Sequence, residues 1–155
     1  TANGVTEAPL LLIGDVWFGG YWVGPLTVAL CESCASENVV GLLGLNLSSG
    51  FLMTLDPVRE ELLLQPRGPR QTKRELRHWI SFSSRWGLGS LVIAAENKSQ
   101  YPLQELELSL SCQPGRVLTL SDIGSKETKE GTIAVDACAG GTIDIVGGVW
   151  GRVDN

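Results

Sequence analysis

The chain has 155 residues, 43% of them hydrophobic and 19% charged, with a formal net charge of −5. That composition belongs to a folded globular protein, one domain of ordinary size or two small ones, and excludes the polar, highly charged class of disordered chains. The acidic balance, with no basic run except residues 67–77, excludes nucleic acid as a partner, and no apolar stretch of about 18 residues occurs to suggest a membrane span.

Glycine and proline punctuate the first 65 residues at short intervals, and between the marks lie segments of strand length at 10–13, 16–18, 21–23, 26–30, 39–43, 51–55 and 61–64. Residues 45–49, starting after Gly44, suit one short helix. Pro66-Arg67-Gly68-Pro69 then breaks the pattern, because proline fixes φ and removes a donor, and this marks a domain boundary. Arg67, Arg70, Lys73, Arg74 and Arg77 follow, and the charge block reads as a solvated linker rather than a site for an anionic partner.

Residues 71–77 fit a turn or two of exposed helix, and 79–86 alternate weakly, Ile80 and Phe82 against Ser81 and Ser83. A strand is expected at 91–95, then a turn over Asn97-Lys98-Ser99 and Tyr101-Pro102; the first of these is also an N-glycosylation sequon by pattern. Leu106, Leu108, Leu110 and Cys112 alternate with Glu105, Glu107, Ser109 and Ser111, the period of a sheet with one wet face on which Glu105 and Glu107 meet water. Further strands fall at 117–120, 133–137 and 143–146, and Trp86 and Trp150 read as core-filling aromatics. The expected class is all-β, with residues 1–66 as one domain, 67–87 as linker and first strand, and 88–155 as an immunoglobulin-like β-sandwich.

Cys31, Cys34, Cys112 and Cys138 are disulfide candidates with three possible pairings, and they point to an oxidising, periplasmic or extracellular setting. The Cys31-Glu32-Ser33-Cys34 spacing also occurs in redox sites, but that chemistry needs a helix N-terminus to lower the thiol pKa, and a strand precedes Cys31 here. Zinc would want a second close pair, whereas Cys112 and Cys138 stand apart, so neither metal nor cofactor is expected.

The most informative string runs from Val39 through Leu42-Leu43-Gly44 and Leu45-Asn46-Leu47 to Asp56, a hairpin turn over 57–60 and a closing strand at 61–64. Buried strand, glycine, short helix, strand and tight turn in that order resemble the C-terminal part of bacterial retropepsin-like aspartic proteases. The resemblance covers residues 1 to about 65 and implies a partial acid-protease β-barrel. It makes Leu42, Leu43 and Gly44 the strand that supports the active site, and Thr1, Ala2, Asn3 and Gly4 part of the substrate-binding flap. The stretch Ile13-Gly14-Asp15-Val16-Trp17-Phe18-Gly19-Gly20 is similar to the strands that join flap to core.

Such proteases act through two close carboxylates that share one proton, so that one activates a water while the other donates to the substrate carbonyl. Each carboxylate comes from an Asp-Thr/Ser-Gly loop, and none of the six aspartates (Asp15, Asp56, Asp122, Asp136, Asp144, Asp154) lies in one. The lone His78 sits among arginines with no nucleophile motif beside it. The expectation is therefore a processed or truncated piece of a peptidase, starting at Thr1 rather than Met, whose catalytic aspartate lies upstream. Alone it is inactive; completed by the missing half or by a second copy, it takes a peptide or protein substrate. The alternative is a non-catalytic binding or scaffold protein of the cell envelope on the same half-fold. Either way, an apolar face around residues 10–13 and at Leu42-Leu43 calls for a cover.

Overall fold

The computed structural model describes residues 8–31, 44–68, 70–135 and 141–152. The protein is mostly β, with two helices of one turn among the described residues. It divides into two compact units, Thr1–Pro66 and Arg67–Asn155.

In the first unit, β1 (Leu10–Phe18) and β2 (Tyr21–Ala29) form an antiparallel hairpin. Gly19 and Gly20 turn it, with φ of +57° and +82°; a two-residue loop with both φ positive matches the twist of the flanking strands. Gly14 and Gly24, which read as strand ends in the sequence, instead lie within continuous strands. The register moves from Ile13 opposite Leu26 to Val16 opposite Gly24, and Asp15 takes a φ of +49°. The register shifts again between Val16 and Trp17, and these two irregularities join segments that looked separate. They let Val16 and Phe18 pack, with Val23, Val28 and Leu64, on the small core of Leu26, Leu47 and Phe51.

Helix α1 (Leu45–Ser48) buries Leu47. Then β3 (Phe51–Asp56) pairs with β4 (Glu61–Pro66). Asp56 sets the turn between them by accepting at Oδ1 from the backbone N–H of Val58 (3.0 Å) and Arg59 (3.1 Å), an Asx turn that needs no glycine. Glu60 closes it with a φ of +55°.

The second unit holds β5 (Arg70–Thr72), α2 (Lys73–Leu76), β6 (Ile80–Gly87), β7 (Ser90–Asn97), β8 (Leu103–Leu110), β9 (Val117–Ile123), β10 (Thr128–Ala134) and β11 (Ile143–Trp150). They make a three-stranded sheet, β10-β7-β6, and a four-stranded sheet, β5-β11-β8-β9, both antiparallel. The inward faces are Leu91, Ile93 and Ala95 on β7, Leu103, Leu106, Leu108 and Leu110 on β8, with Leu120, Ile123, Ile133, Ile145 and Trp150. Leu103 and Leu106 share a face despite their odd spacing because the register against β11 shifts between Val149 and Trp150.

Two expectations are refined and two need correction. Residues 67–87 do contain the strand β6, and the stretch ahead of it belongs to the same fold: β5 pairs with β11, and α2 fully buries Leu76 among the charged residues Lys73, Arg74, Glu75 and Arg77. Trp86 does not fill the core. It is 58% exposed, because the last residues of edge strand β6 lie open to solvent. Glu105 and Glu107 are half-buried, on the strand face opposite the fully buried Leu106, Leu108 and Leu110. Finally, β10 starts at Thr128, ahead of the 133–137 segment. Gly131, a nominal breaker, sits inside it: a Cβ there would lie 2.4 Å from a methyl of Leu120, so a larger residue would make that side chain shift.

Candidate functional site

The residues that the sequence proposes as flap, Thr1 to Gly4, and as active-site support, Leu42 and Leu43, lie outside the described residues. Gly44 is described. It is the N-cap of α1, extended at φ −83°, and a Cβ on it would press to 2.6 Å from Oδ1 of Asn46. The missing side chain leaves room for the Asn46 amide, whose Nδ2 donates to the carbonyl of Thr27 at 2.7 Å. The strand–glycine–helix signal thus has a mechanical meaning: glycine at the cap, then an asparagine that fastens the helix to β2. Phe51 follows, edge-on to Phe18 at 5.6 Å and to Tyr21 at 6.1 Å between ring centroids.

Around this small core the strands of the first unit are apolar on both faces. Leu10, Leu11 and Ile13 on β1, Leu52, Met53 and Leu55 on β3 and Leu62 and Leu63 on β4 are all exposed, Leu55 to 72% and Leu63 to 56%. Continuous apolar strands are the mark of sheets covered on both sides. In this unit one side is lined by the cluster of Leu26, Leu47 and Phe51.

Each described aspartate has a structural position. Asp15, at the β1 bulge, accepts from the indole N–H of Trp22 at 3.3 Å. Asp56 holds the β3–β4 turn. Asp122 lies within β9 at a φ of +53°, and Asp144 pairs with Lys73. Asp136 and Asp154 are outside the described residues. None of the four described aspartates is followed by the hydroxyl residue and glycine that an acid-protease loop uses.

In the second unit the outer face of β10-β7-β6 carries an open hollow of about 110 Å³ lined by Ser83, Ser84, Arg85, Val92, Ala94 and Glu130. It forms because Ala94 and Val92 are short while Arg85 and Glu130 reach across them to pair at 2.8 Å. The charges offset one another, which leaves the hollow without a net attraction for an ion. His78 is exposed at the surface, and among the described residues no three His, Cys, Asp or Glu side chains converge as a metal site. Cys31 and Cys112 are both disulfide-bonded; Cys34 and Cys138 lie outside the described residues. No helix among the described residues is long and apolar enough to cross a membrane.

The feature that sequence reasoning missed is Asn97. Flagged only as a sequon, it is fully buried and ties the end of β7 to the end of β9 through the carbonyls of Ile123 and Gly124. Its setting was partly visible, since it ends an alternation of buried residues on β7. Compared with protein-family models, with curated proteins and with solved structures, the chain matches none.

Proposed function

We propose that the first unit is the C-terminal part of a retropepsin-like aspartic endopeptidase domain. Its catalytic Asp-Thr/Ser-Gly segment lies outside these 155 residues, and the second unit is an immunoglobulin-like β-sandwich appended to it. The observation that carries the reading is the pair of apolar hairpins with a core on one side: β1–β2 and β3–β4 expose leucines on faces that soluble proteins cover. A partial barrel has this property, because strands that would close it bury the second face. The chain order supports the same reading, with a glycine-capped helix, a strand, an Asp-Pro turn and a closing strand in sequence. Two antiparallel sheets of three and four strands with alternate residues inward support the sandwich.

The 155 residues contain no Asp-Thr-Gly or Asp-Ser-Gly loop, and the proposed setting is periplasmic or extracellular, in keeping with the disulfide-bonded cysteines. The test joins sequence and activity. The gene segment upstream of Thr1 should encode an Asp-Thr-Gly or Asp-Ser-Gly loop, and the protein carrying it should cleave peptides in a pepstatin-sensitive manner while the 155-residue chain does not. An upstream segment with no such loop, together with a stable protein partner on co-purification, overturns the peptidase and leaves a non-catalytic scaffold on the same half-fold.

A further inference from the structure

Asn97-Lys98-Ser99 fits the acceptor pattern for N-linked glycans, yet Asn97 is 0% and Ser99 2% exposed. We infer that this sequon is an acceptor only while the second unit is unfolded, so that glycosylation at Asn97 and folding exclude one another.

The chemistry of the acceptor nitrogen carries the inference. Nδ2 of Asn97 donates to the carbonyls of Tyr101 (2.8 Å) and Gly124 (3.1 Å), with Ile123 at 3.5 Å, while Oδ1 accepts from the Ser99 N–H at 3.0 Å. The Ser99 hydroxyl is equally committed: it donates to the Tyr101 carbonyl at 2.8 Å and accepts from the Tyr101 N–H at 3.1 Å. In glycan transfer, Nδ2 attacks the anomeric carbon of a lipid-linked glycosyl diphosphate. The new carbon–nitrogen bond forms as the carbon–oxygen bond to the diphosphate breaks; the lipid diphosphate leaves and Nδ2 gives up one proton. The product amide keeps a single N–H, which cannot serve Tyr101 and Gly124 together, and its sugar would need the space that the end of β9 occupies. Stranding a buried carbonyl and expelling packed backbone are both incompatible with the closed junction.

The same geometry sets a time window. Ile123 and Gly124 are 26 and 27 residues downstream of Asn97, and the Asn97 N–H donates to Glu127 at 2.9 Å. The junction therefore closes only after β8 and β9 have been made and paired. Until then the tripeptide is an open, extended segment of the kind a transferase can bind.

The test uses the full chain expressed through the secretory route of a glycosylating cell, with occupancy at Asn97 read by peptide mass in the secreted, soluble fraction and in the retained fraction. Occupancy is expected to be at least about tenfold lower in the soluble fraction, as for any site reached only through unfolding. Brief exposure of the cells to a reductant, which delays folding by keeping cysteines open, should raise total occupancy. Equal occupancy in the two fractions at any level, or no rise with reductant, overturns the inference.

Discussion

Strand β8 of the second unit points Leu106, Leu108 and Leu110 inward with hardly any exposure, while β3 of the first unit buries Phe51 and leaves Leu52, Met53 and Leu55 open. Both strands are rich in leucine and both sit in antiparallel pairs, so composition does not separate them. What differs is the number of layers. In the second unit polar and apolar residues alternate on most strands, and two sheets suffice to cover the apolar set. In the first unit the apolar residues do not alternate, and the described strands bury one face. A region whose pattern demands more cover than its own fold provides is a region built to be completed, and the proposed peptidase half rests on that contrast.

The contrast can be broken by truncation. Leu106→Ala removes a fully buried side chain and should cost about 2–5 kcal/mol in urea unfolding of the second unit. Leu63→Ala, on the exposed face of β4, should stay within about 0.5 kcal/mol in the free chain. If the two substitutions cost the same, the faces of the first unit are covered in solution. A smaller effect sharpens the account of the first unit. Gly20→Val places a β-branched residue at a φ of +82° with no atom within 4 Å of the new Cβ, so any loss is conformational. About 1–2 kcal/mol is expected from the left-handed penalty, seen as faster hydrogen exchange along β1–β2. A further small effect concerns the polar hollow of the second unit. Arg85→Ala breaks an exposed ion pair with Glu130 and should change stability by less than about 1 kcal/mol, less still in high salt.

Much of the fold was legible locally. The Gly19-Gly20 turn, the short helix after Gly44, the hairpin at Asp56-Pro57 and the period-2 run on β8 each follow from conformational preferences of a few neighbouring residues, which act the same way wherever the chain goes. Glycine was the least reliable mark, because the residue has more than one use. At Gly19 it turns the chain, at Gly24 it sits opposite a bulge in a continuous strand, and at Gly131 it makes room for Leu120. Only the partner across the sheet distinguishes these. Of the proposed site, Gly44 is the part that can be described, and its role lies in the room it leaves for Asn46 rather than in any chemistry of its own.

The amino-acid sequence by itself determined the all-β class, the break after Pro66, and the want of an acid-protease aspartate loop, since these depend on composition, punctuation and the identity of adjacent residues. Tertiary structure alone decided which residues lie inside. It exposed Trp86, buried Leu76 within a charged stretch, and turned the Asn97 sequon into an internal tie. The physical reason is that burial belongs to a pair of surfaces: an edge strand leaves even tryptophan in water, and an asparagine can be interior once carbonyls 26 and 27 residues away arrive to accept its hydrogens.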